Sequence, residues 1–68
     1  MLSQTVEYAL RAMSSLAYRP SELVPTPELA EITKVPSNYL AKVLQTLAAA
    51  DLIVGRRGVG GGYRLARP

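Results

Sequence analysis

The residues with most chemistry to offer lie near the end of the chain. There Gly55-Arg56-Arg57-Gly58-Val59-Gly60-Gly61-Gly62 holds all five glycines of the protein. Two guanidiniums beside a run of glycines suit a polyanion. Arginine presents a planar fork of donors to phosphate oxygens, and glycine lets the backbone approach such a surface closely. A second set is spaced more widely. Ser37, Asn38 and Lys42 stand at i, i+1 and i+5, which on a helix is one outward edge. Asn can pair bidentately with an adenine edge, Lys can reach guanine or phosphate, and a Ser hydroxyl can reach either.

Most catalytic chemistry has no residues to work with. The 68 residues contain no cysteine, histidine or tryptophan. Without cysteine there is no disulfide and no thiolate metal site. Without imidazole there is no triad and no proton shuttle near neutral pH. The five carboxylates are scattered over separate elements, and no nucleophile has a base within predictable reach. An enzyme is therefore not expected. The net charge of +3 is unevenly placed. In residues 1–50, Arg11, Arg19, Lys34 and Lys42 cancel Glu7, Glu22, Glu28 and Glu31. In residues 51–68, Arg56, Arg57, Arg64 and Arg67 face Asp51 alone. The absence of cysteine fits a cytoplasmic location. No secretory signal is read at the start, and no apolar run approaches the roughly 18 residues of a membrane span.

Periodicity supplies the elements that would position these groups. Val6, Ala9, Leu10, Met13, Leu16 and Ala17 recur on one face of a 3.6-residue period, predicting a helix over 3–18 with Ser3 as its cap. Leu23-Val24 is long enough for a bridge-like edge strand. Thr26 as cap and Pro27 at the first helical position predict a helix of about two turns. Pro36 breaks it and opens another over 36–49, which buries Tyr39, Leu40, Val43, Leu44, Leu47 and Ala48. Leu52-Ile53-Val54 and Tyr63-Arg64-Leu65 then read as a hairpin around a mobile glycine tip. The expected core is Leu10, Met13, Leu16, Leu29, Ile32, Val35, Leu40, Val43, Leu44, Leu47, Leu52, Val54 and Leu65.

Each pattern has a plainer reading. The helix pair is also an ordinary helical hairpin, and the Arg-Gly segment is also a solvated loop. A nucleotide-binding loop is rejected, because a P-loop needs Lys-Ser/Thr after its last glycine and Tyr63 stands there. Together, however, a helix, a helix-turn-helix and a hairpin make an α+β, mainly helical, winged helix-turn-helix over residues 1–68. The helix-turn-helix falls at 26–49 and the wing at 52–66. This predicts binding to double-stranded DNA, with the second helix in the major groove and the arginines in the minor groove. Tyr39, on the boundary of that helix, is either core or a phosphate donor. Tyr63 packs under the wing. The alternative is a protein-interaction or dimerisation module without DNA affinity, with Leu2, Ala48, Ala49 and Ile53 exposed.

Several stretches in order resemble the Rrf2 family of bacterial transcription regulators. They are Tyr8-Ala9-Leu10-Arg11-Ala12-Met13, Leu29-Ala30-Glu31-Ile32, Tyr39-Leu40-x-Lys42-Val43-Leu44, Leu52-Ile53 and Arg57-Gly58-x-Gly60-Gly61-Gly62-Tyr63-Arg64-Leu65. The resemblance implies a winged-helix repressor or activator. Asn38 and Lys42 would read base edges beside Ser37, and Arg57 would enter the minor groove. The residues read directly add Tyr39, Arg56 and Gly58 to the expected DNA-binding set. Ala41 departs from members that carry a carboxylate there. Asp51 stands where glycine often closes the recognition helix. Members continue past the wing into a dimerisation helix, and many hold an iron–sulphur cluster on three cysteines. The expectation is therefore a DNA-binding fragment with no cofactor of its own, monomeric or weakly self-associating, from a homodimeric parent.

Overall fold

The computed structural model describes residues 3–67; the expectation for Leu2 lies outside them. Helix α1 (Gln4–Ala17) starts at Ser3, whose Oγ accepts the Val6 amide at 3.2 Å. This satisfies one of the donors that a helix start leaves unpaired. After the loop at Pro20, Val24 forms an isolated antiparallel bridge to Tyr63, as the short apolar pair implied. Helix α2 (Thr26–Thr33) begins one residue early: Pro25 is the cap, and no side chain caps the helix. Helix α3 (Ser37–Ala49) follows Lys34-Val35-Pro36. Strands β1 (Ile53–Arg56) and β2 (Gly62–Leu65) pair antiparallel, with Ile53 opposite Leu65 and Arg56 opposite Gly62. The architecture is α+β, mainly helical: a winged helix-turn-helix.

The core gathers around α3, which packs against α1, α2 and β1. Leu40, Val43, Leu44 and Leu47 enter it from α3, joined by Ala12, Leu16, Val24, Leu29, Val35 and Ile53. Three expected members are not in it. Leu10, Ile32 and Leu52 are 53%, 49% and 41% exposed. The apolar stripe of α1 is wider than its neighbours can cover. Its buried line runs through Ala12 and Leu16, while Val6 and Leu10 fall on an open flank. Ile32 shares that flank, in a shallow groove with Leu10, Arg11 and Ser14. Met13, Val54 and Leu65 are only half-buried. Of the residues that the protein-interaction alternative would expose, Ile53 is buried, Ala48 is half-buried and Ala49 is exposed.

The end of α3 explains the exchange between Leu52 and Ile53. The Asp51 amide donates to the Ala48 carbonyl at 3.0 Å and the Leu52 amide to the Leu47 carbonyl at 3.1 Å. With Asp51 at φ 62°, this is a Schellman closure. Leu52 is its outer residue, so the first inward strand position passes to Ile53. Lys34 closes α2 in the same left-handed region, φ 60° and ψ 32°. Among the described residues these are the two non-glycine positions with positive φ. Arg11 braces the first closure by donating from Nη1 to the Thr33 carbonyl at 3.0 Å.

Two consequences can be measured by thermal or denaturant unfolding. A non-glycine residue in the left-handed region costs roughly 1–2 kcal/mol, less for Asp. Offset against the greater unfolded-state freedom of glycine, Lys34→Gly is expected to stabilise by about 0.5–1 kcal/mol and Asp51→Gly by less. Gly62→Ala is expected to destabilise by about 2 kcal/mol or more, of the size of overpacking. Gly62 sits at φ 144°, and a Cβ there would lie 2.4 Å from the Val24 carbonyl group.

Candidate nucleic-acid interface

The outward face of α3 follows from its inward one. Leu40, Val43, Leu44 and Leu47 hold one side in the core, which leaves Ser37, Asn38, Lys42 and Gln45 exposed on the other. Pro36 sets the helix start without a capping side chain, so Ser37 and Asn38 in the first turn are free to meet a ligand. Tyr39 resolves as a boundary residue. It is half-buried, its ring meets Tyr8 edge-on at 5.2 Å and 88°, and its hydroxyl lies 2.6 Å from Thr5 Oγ1. Tyr8 thus packs between α1 and α3. Ala41 on the same helix offers a methyl group and no polar group.

The hairpin is held at its base and open at its tip. Val24 and Tyr63 exchange both backbone hydrogen bonds, at 2.8 and 2.9 Å. The Tyr63 ring lies over Gly55, where a Cβ would come within 2.7 Å of Cε1. At the tip the Gly61 amide donates to the Gly58 carbonyl at 3.0 Å. With Gly60 at φ 77° in the third position and Val59 at negative φ, this is a type II turn. The glycine tip is thus a defined turn with one backbone hydrogen bond. Arg56 and Arg57 flank it, both exposed, and Val59 projects fully into solvent.

The ion pairs lie on α1, α2 and the loop between them. Glu7 pairs with Arg11 at 2.9 Å, and Glu22 and Glu28 both pair with Arg19. The hydrogen bond that Arg19 donates to the Glu28 carboxylate holds its guanidinium above its ordinary pKa. Three of the four glutamates are thus engaged away from α3 and the wing. Among the described residues, Lys42, Arg56 and Arg57 enter no ion pair.

The structure groups the expected residues in two places. Asn38, Tyr39 and Lys42 line one depression together with Thr5, Val43 and Thr46. Arg56, Arg57 and Gly58 line another, against Thr26 and Pro27 at the start of α2. Ser37 lines neither. Two residues were missed by sequence reasoning. Thr5 reaches Tyr39 across 34 positions, and Thr26 faces the wing. The only signal for Thr5 was its spacing of three from Tyr8, which puts both on one side of α1.

Comparison with known proteins bears directly on this arrangement. A family profile described as Rrf2, iron-dependent transcriptional regulator, matches residues 2–68. A protein of Aquifex aeolicus, classed by inference among HTH-type transcriptional regulators, is 37% identical over 67 residues, which is 98% of this chain and 46% of that one. IscR of T. potens superposes with a TM-score of 0.89 at 32% identity, over 98% of this chain and 50% of the other. CymR of B. subtilis, described as its global cysteine regulator, gives 0.89 at 27% identity, over 97% and 52%. The chain spans about half the length of the relatives it matches. The profile match over nearly every residue and the shared winged helix establish that the chain belongs to the Rrf2 family of bacterial transcriptional regulators.

Proposed function

We propose that this stretch is the DNA-binding part of a bacterial transcription regulator, acting by binding rather than by catalysis. Residues 26–49 serve as the helix-turn-helix and 52–66 as the wing. Helix α3 lies in the major groove, with Asn38 and Lys42 toward base edges and Ser37 and Tyr39 toward the backbone. The wing lies over the adjacent minor groove, with Arg57 inserted, Arg56 on phosphate and the Gly58 backbone close to the strand. The observation that carries this reading is electrostatic. The exposed cations of α3 and the wing lack acidic partners, while Glu7, Glu22 and Glu28 are engaged elsewhere.

Two-fold operators are read by dimers. The intact regulator is accordingly read as a cytoplasmic homodimer, and this stretch alone as a weak binder. Among the described residues no helix is long and apolar enough to cross a membrane. The iron of the family description finds no fitting donors here. The sequence has neither Cys nor His, and among the described residues no three Asp or Glu gather where a metal ion could be held. No part of the proposed mechanism passes through iron.

The test is a titration of duplex DNA across a salt series, starting near 50 mM where phosphate contacts are strong. Lys42→Ala and Arg57→Ala are each expected to weaken binding and to lower the salt slope by about one unit. Asn38→Ala is expected to cost about 1–3 kcal/mol at one position and to relax sequence choice there. Arg19→Ala, whose charge Glu22 and Glu28 already meet, should leave the slope unchanged. Equal slopes for all four variants would dismiss the reading.

A further inference from the structure

The first turn of α3 is tied to α1 by a polar link that core packing does not explain. Thr5 Oγ1 and Tyr39 Oη are 2.6 Å apart, and both residues face the depression that Asn38 and Lys42 line. Around this pair, Gln4 Nε2 donates to the Tyr8 hydroxyl at 2.9 Å, and the Tyr8 ring meets the Tyr39 ring edge-on. Arg11 lies 5.4 Å from the centre of the Tyr8 ring and donates to the Thr33 carbonyl at the end of α2. Helix α1 thus holds both sides of the turn between α2 and α3.

Apolar burial is non-directional. Leu40, Val43, Leu44 and Leu47 set the depth of α3, with Leu40 anchoring its first turn, but they do not fix where the Tyr39 hydroxyl lies. A short O–H···O bond is directional, and no side-chain hydrogen bond caps the start of α3. Thr5 alone among α1 residues reaches the depression beside Asn38 and Lys42.

We propose that Thr5 is a positioning residue for DNA reading, acting through Tyr39. This rests on the reading of α3 as the DNA-facing helix. The hydroxyl pair can be ordered in two ways, because either oxygen can donate. When Tyr39 donates to Thr5, its proton is engaged inward. When Thr5 donates to Tyr39, the Tyr39 proton is released outward for a phosphate oxygen. A nearby phosphate selects the second order, and the two bonds then point the same way and reinforce one another. Thr5 therefore both fixes the place of the Tyr39 oxygen and frees its proton for DNA.

The experiment uses the unaltered 68-residue chain and its variants on duplexes of about 25 base pairs, enough for two half-sites and flanks. One duplex carries the sequence that the unaltered chain enriches from a randomised pool, and the other is scrambled. Thr5→Val keeps the branched shape and removes the hydroxyl. It is expected to weaken binding to the enriched duplex about five-fold, the scale of one net hydrogen bond, with the chain still fully folded at the assay temperature. Thr5→Ser should restore binding, and Thr5→Val should cost nothing further when Tyr39 is already Phe. Unchanged affinity in Thr5→Val overturns the proposal. So does an equal loss in the Tyr39→Phe background, or a loss that Ser fails to restore. If the unaltered chain enriches no sequence, the DNA-facing reading of α3 falls, and the proposal with it.

Discussion

The burial of one side of α3 is the constraint on which the rest of the molecule depends. Leu40 and Leu44 keep no exposed surface, and α1, α2 and β1 are each placed by packing against the same helix. A chain this short can build only one core, because it buries only about 60% of the surface that its unfolded form exposes. That core is therefore made from the helix whose other side is left to meet a partner. Stability and the proposed recognition of DNA are drawn from opposite faces of one element.

The wing is attached to this body rather than appended to it. Val24 and Tyr63 exchange two backbone hydrogen bonds, so the loop before α2 acts as a third, one-residue strand. An isolated two-stranded hairpin is marginal in water. The extra pairing, with Val24 and Ile53 buried beneath it, gives the hairpin a fixed base. The turn between α2 and α3 is likewise held from outside, by Arg11 on the Thr33 carbonyl.

Much of this was legible in the sequence, because helix starts, proline breaks and the change from helical to strand-like spacing are local signals. Ser3, Pro20 and Pro36 mark boundaries within a residue or two of those observed. The depth of side chains was less legible. Leu10 and Ile32 fit a helical stripe as well as Leu16 and Leu29 do, and only the placement of neighbouring helices decides which pair is covered. Leu52 and Ile53 exchanged roles because Asp51 adopts a left-handed closure and shifts the strand by one residue. At the candidate interface, charge and residue type pointed to α3 and the wing. The contact of Thr5 was not legible, because its partner lies 34 positions away.

The glycines of the wing carry a last consequence. Gly60 is set by the sign of a turn angle and Gly62 by the closeness of Val24; neither requirement involves a ligand. The stretch that makes the chain recognisable is thus a signature of architecture, and the proposed contact with DNA rests on the arginines beside it. A descendant that kept every glycine and replaced Arg56 and Arg57 would fold the same wing and match the same pattern. Searches keyed to the glycines would count it as kin while its surface had lost the charge that makes the kinship useful.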